Sequence, residues 1–88
     1  LPNIQSARKR ARQNEKRRVH NASQRSRFRT HVKKVVRAIQ ERDAEKATEM
    51  YREAVPVIDS MVTKGIIHRN KAARHKSRLN SRIRALQQ

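Results

Sequence analysis

The stretch Arg27-Phe28-Arg29-Thr30-His31-Val32-Lys33-Lys34-Val35-Val36-Arg37-Ala38-Ile39 decides the fold. At 100° per residue, Phe28, Val32, Val35, Val36 and Ile39 fall within one arc of about 100°. Arg27, Arg29, Lys33, Lys34 and Arg37 point away from it, so this segment is an amphipathic helix with one basic solvent face. Two further stripes follow. Ala47, Met50, Tyr51, Ala54, Ile58, Met61 and Val62 form the second, and Ala72, Leu79, Ile83 and Leu86 the third. Three stripes close one small core, with Ile66 and Ile67 as a plug at its end. No alternating run and no Asn-Gly or Asp-Gly turn argues for a strand.

Boundaries follow from capping chemistry. The first helix is expected from about Ile4 to about Glu41, opened by Pro2-Asn3 or capped by Ser6, and roughly 55 Å long. The second is expected from Ala44 to Lys64, with Asp43 as N-cap. Gly65, the chain's single glycine, suits the left-handed position that ends a helix, and Ile66 the apolar contact after it. The third is expected from Arg69 to Leu86. Pro56 falls inside the second helix, where it removes one hydrogen bond and crowds the carbonyl of Arg52. A kink is expected; a break is the rival, disfavoured because Val55 is a poor N-cap and the apolar pattern runs on.

Composition narrows the function. The chain has 88 residues and a net charge of +17, and only 17 of its residues are Ile, Leu, Val or Phe. That is one small domain near the limit of what a core supports, with no room for a catalytic cleft. Cysteine is absent, which excludes disulfides, thiolate metal sites and cysteine nucleophiles. No apolar run is long enough for a membrane span, and no secretory signal is visible. Leu1 in place of Met suggests a trimmed or processed start.

Charge is divided unevenly along the chain. Residues 1–37 carry +12, residues 38–63 carry −3, and residues 64–88 carry +8. Two basic elements therefore flank one that mainly packs. Among residues 1–27 only Leu1, Ile4 and Val19 are large apolar side chains, so that part has nothing to bury against protein. The expected architecture is all-α: a three-helix bundle (28–88) with a long basic helical arm (1–27) projecting from it, in one domain. Arg8, Lys9, Arg10, Arg12, Lys16, Arg17 and Arg18 point all round the arm. Such a helix repels itself and frays alone, while surrounding phosphates hold it. A polyanion is thus the expected partner.

Other chemistries lack support. His68 and His75 are two turns apart, and His20 and His31 have no carboxylate partner close enough to share a metal. The serines have no base–acid pair beside them. Glu49 and Glu53 read as a solvated face, and no phosphate-cradling glycine loop exists. The expectation is no enzyme, no cofactor and no metal. Phe28 and Tyr51, the only aromatics, lie on core stripes, so recognition by base stacking is not expected. Arg and Lys on rigid helices suit the shape and phosphates of double-stranded RNA. An architectural, nucleoid-type DNA-binding protein would use the same charges, and composition does not separate the two. A membrane-active helix would need a wide apolar face, and residues 5–18 offer only Ala7 and Ala11.

Three segments carry a resemblance. Asn3-Ile4-Gln5-Ser6-Ala7-Arg8-Lys9-Arg10, then His20-Asn21-Ala22-Ser23 with Arg25-Ser26 and Arg29-Thr30, and finally Lys64-Gly65-Ile66-Ile67-His68-Arg69-Asn70-Lys71-Ala72-Ala73-Arg74-His75-Lys76-Ser77 resemble the bacterial small-ribosomal-subunit protein S-twenty family. The likeness spans essentially the whole chain, with the acidic middle helix most divergent and Leu1-Pro2 departing from the usual start. It implies a three-helix bundle that binds 16S rRNA directly, early in assembly, at the 5′ domain and the long penultimate stem. It implies only peripheral contact with other 30S components, and a ribosome of the cytoplasm or an organelle. No homo-oligomer and no membrane are expected. Carried over by position, the first segment places Ser6, Arg8, Lys9, Arg10 and Arg12 in the rRNA-facing arm, which continues through Lys16, Arg17 and Arg18. The second places Asn21, Arg25, Ser26 and Arg29 there, with Lys33 and Lys34 beyond. The third places Asn70, Lys71, Arg74 and Lys76 at the start of helix three.

Overall fold

The computed structural model describes residues 2–88, and side chains from Ile4 onward. The processed-start expectation at Leu1 lies outside the described residues. Three helices run in order: α1 Pro2–Gln40, α2 Ala44–Thr63 and α3 Arg69–Gln87. α1 already begins at Pro2, so Ser6 lies inside the helix and does not cap it. Proline in a first turn costs nothing, because its missing N–H would have no partner there.

The two connections are closed by the same backbone geometry. After α2, Gly65 takes φ 72°. Its N–H donates to Val62 O at 3.0 Å, and the Ile66 N–H donates to Met61 O at 2.9 Å. Ile66 then folds onto the core, as the sequence predicts. After α1, the equivalent position is Arg42, with φ 59°. The Asp43 N–H reaches back to Ala38 O at 3.1 Å and the Arg42 N–H to Ile39 O at 3.0 Å. A side chain in this left-handed region costs energy that glycine avoids, so the sequence gives no warning of it. Asp43 also accepts from the Lys46 N–H at 3.1 Å, capping α2 as expected. His68 caps α3, its Nδ1 accepting from the Asn70 N–H at 3.1 Å.

α2 continues unbroken through Pro56. Pro56 is exposed, on the side away from the core, where water can satisfy the carbonyl it orphans. α2 is the central helix, clasped between α1 and α3. The core comprises Phe28, Val35, Ala38 and Ile39 of α1, Ala47, Ala54, Val57, Ile58 and Met61 of α2, and Ala72, Leu79 and Ile83 of α3. Val57 and Ala38 lie outside the stripes drawn from the sequence. A helix packed on two sides buries a wider arc than one neighbour requires, which brings in Val57. Ala47, Ala54 and Ala72 are small enough to let the helix axes approach closely.

Polar contacts pin the two later helices together. Lys76 Nζ lies 2.8 Å from Asp59 Oδ1. The Tyr51 hydroxyl donates to the carbonyl of Lys76 at 3.2 Å. Phe28 and His75 join α1 to α3, edge to face, with ring centroids 5.2 Å apart. Burial, and then the charges of Lys71, Arg78 and Arg74, push the His75 imidazole below its ordinary 6.5. The unfolded chain therefore takes up this proton at higher pH than the folded one, and stability falls as pH drops from 6.5 through the folded value. The bundle is expected to melt at a lower temperature at pH 5.5 than at pH 7.5, and His75→Leu is expected to remove most of that difference. Equal pH dependence in both chains would contradict the assignment.

The molecule measures 68 × 21 × 15 Å, with a radius of gyration of 17.9 Å. A compact chain of this length would have about 12 Å. The excess is the leading part of α1: every residue from Ile4 to His20 is exposed.

Candidate nucleic-acid interface

Along the arm the backbone is straight helix and the surface is cationic all round. Ser6, Arg8, Lys9, Arg10, Arg12, Lys16, Arg17 and Arg18 are all exposed. Arg18 alone among them has an acidic partner. Its Nη2 lies 2.6 Å from Glu15 Oε1, and its Nε donates to Oε2 at 3.1 Å. The guanidinium holds the Glu15 carboxyl below the usual carboxylate range, and Glu15 in turn raises Arg18.

Burial begins where the arm meets the bundle. Asn21 and Gln24 are half-buried, and Phe28 is the first fully buried side chain. Lys64 Nζ donates to Gln24 Oε1 at 3.2 Å, so the α2–α3 connection supports the root of the arm. Arg25, Ser26, Arg29, Lys33 and Lys34 remain exposed along α1. The Ser26 carbonyl accepts from the Thr30 hydroxyl at 2.9 Å.

The second basic element starts at that same end of the bundle. Asn70, Lys71 and Arg74 are exposed in the first turns of α3. Arg78 and Arg82 continue the Lys71–Arg74 line at helical spacing, also exposed. The sequence reading omitted these two, although the 71-74-78-82 spacing announces them. Lys76 is different. Its ammonium is held by Asp59, with the side chain about one third exposed at 34%. In the free protein it fastens α3 to α2.

The structure joins the root of the arm to the end of α2 through Gln24 and Lys64, and α1 to α3 through Phe28 and His75. It does not bring the arm's far end to the bundle. Arg8 lies about 25 Å along the helix from Arg25, well beyond the screening length of about 8 Å at physiological salt. The two ends are therefore electrostatically independent of one another. Glu45, Glu49 and Glu53 are exposed on α2, so the exposed positive charge is concentrated on α1 and α3. Among the described residues no three His, Asp or Glu side chains group as metal ligands. No described helix is long and apolar enough to cross a membrane.

The sequence is similar to known proteins along nearly its whole length. The small ribosomal subunit protein bS20 of Alkalilimnicola ehrlichii is 63% identical over 87 residues, covering 99% of both chains. Those of Methylococcus capsulatus and Pseudomonas fluorescens are 62% and 65% identical over 86 residues, covering 98% of this chain and 94% of theirs. A family model described as Ribosomal protein S20 matches residues 2–84, and the basic three-helix chain described above belongs to that family.

Proposed function

We propose that this protein binds 16S rRNA directly, by contacts to phosphates, and helps hold the 5′ domain and the long penultimate stem together as the small subunit assembles. As a member of its family the chain is a structural ribosomal component and not an enzyme, at work in the cytoplasm, where bacterial ribosomes are. The observation that carries the finer reading is the arm. It has seven exposed Arg and Lys side chains between Arg8 and Arg18 and no apolar face to bury.

In this reading residues 1–27 are the rRNA-facing arm and residues 28–88 a stiff spacer. The arm neutralises phosphates of one rRNA segment, and Asn70, Lys71 and Arg74 engage those of another. Arg forks onto phosphate oxygens and Lys supplies point charge. Neither requires an unpaired base, which suits stems whose deep major groove hides the base edges. Contacts with other subunit components are peripheral. The family, rather than charge, favours RNA over an architectural role on DNA.

Counter-ion release tests this. If about ten phosphates are neutralised, log affinity for the rRNA should fall against log salt with a slope of roughly −7 to −9. A slope shallower than about −3 contradicts phosphate neutralisation on this scale.

A further inference from the structure

We propose that Glu15 and Arg18 act as one reader of the RNA ribose–phosphate edge, Glu15 accepting from a ribose 2′-hydroxyl while Arg18 donates to the neighbouring phosphate. This rests on the rRNA reading above and names what makes the arm prefer RNA to DNA. Glu15 is the only acidic residue in the first 40 positions, within the most basic part of the chain. A carboxylate there works against phosphate binding, since it cancels one cation and repels the ligand.

Its geometry gives it another task. Glu15 grips Arg18 through two parallel hydrogen bonds, at 2.6 and 3.1 Å. Those bonds use the Nε hydrogen and one Nη2 hydrogen. Three of the five guanidinium donors stay free, and the plane of the fork is fixed. The carboxylate lone pairs beside it accept hydrogen bonds only. A DNA backbone offers phosphate acceptors and no hydroxyl donor at this edge. RNA offers both, because the 2′-hydroxyl donates as well as accepts. The pair therefore matches a donor–acceptor edge that RNA has and DNA lacks.

The surroundings allow close approach. Ala11, Glu15, Arg18 and Ala22 follow at intervals of four, three and four, so they share one face of α1. Ala11 and Ala22 are exposed. The methyl groups leave the Arg18 side of the carboxylate open, while Arg12, three positions before Glu15 and exposed, borders its other side.

The test uses the full chain and two duplexes of one sequence, an rRNA stem and its DNA counterpart, titrated at several salt concentrations. The wild-type chain is expected to prefer the RNA. Glu15→Ala keeps the helix favourable but removes the carboxylate acceptor together with its charge and frees Arg18. Its DNA binding is expected to tighten, with a slope against log salt steeper by about 0.7 to 0.9. The RNA-over-DNA preference is expected to fall at least about fivefold, the loss of one charge-assisted hydrogen bond. Arg18→Lys keeps the charge, loses the fork, and should also lower the preference. Circular dichroism checks that both variants stay helical. A preference that survives both substitutions overturns the role of the pair. A wild-type chain without any RNA preference overturns the rRNA reading itself, so the two failures are told apart.

Discussion

Replacing Arg8, Lys9 and Arg10 together with alanine is expected to weaken rRNA binding by about a hundredfold or more at 0.1 M salt, with the slope against log salt shallower by about 2 to 3. The figures follow from three lost phosphate contacts. The three side chains are exposed, and the nearest fully buried residue, Phe28, lies about 27 Å further along the helix. Alanine also favours helix at least as well as arginine or lysine. The melting temperature of the free protein should therefore stay within about a degree or two of wild type. Parallel titration and thermal melts check both halves of the expectation. A large drop in melting temperature would show that the arm packs on protein.

The opposite pattern is expected for Ile58→Ala. Ile58 is fully buried, at 0% exposure, in the central helix. It lies between the α1 and α3 contributions to a core of twelve side chains. Truncating a buried isoleucine costs about 2–5 kcal/mol, from lost burial and the cavity left behind. A domain this small has few kcal/mol to lose, so most free molecules are expected to unfold near 37 °C. The residues proposed to contact phosphate are untouched, so RNA that binds the folded state should raise the melting temperature again. Far-ultraviolet melts with and without rRNA measure this. A variant as stable as wild type would contradict the packing described for α2.

These two outcomes separate what the sequence reveals from what only the fold does. Helix number, order and stripes are legible because Val32, Val35, Val36 and Ile39, or Leu79, Ile83 and Leu86, repeat at helical spacing and no strand signal competes. The Gly65 turn is legible because only glycine enters the left-handed region without cost. The Arg42 turn is not, since the same geometry there is imposed on a residue that resists it. Ser6 misleads because it is a good capping residue that happens to lie one turn inside a helix already begun at Pro2. The His68 cap is easily overlooked, because histidine is an unusual N-cap.

The basic surfaces divide in the same way. Exposure of Arg8, Lys9, Arg10 and Arg12 follows from the absence of apolar neighbours, which the sequence shows directly. The bond between Lys76 and Asp59 spans 17 positions and two helices, so no local pattern predicts that this lysine faces the bundle. The Glu15–Arg18 pair is three positions apart, a helical spacing, but a single acid among many bases is easily taken as incidental. The choice of RNA over DNA is a property of the family, because phosphates look alike to a count of charges.

In the proposed function one molecule joins two separate rRNA segments. Photocrosslinkers placed singly at Gln13 on the arm and at Ala73 on α3, both exposed and uncharged, test it most directly when the bound nucleotides are mapped in the assembled complex. The two positions are expected to recover different segments of small-subunit rRNA, one of them in the 5′ domain. Recovery of a single shared segment from both, or of unrelated RNA without preference, would contradict it.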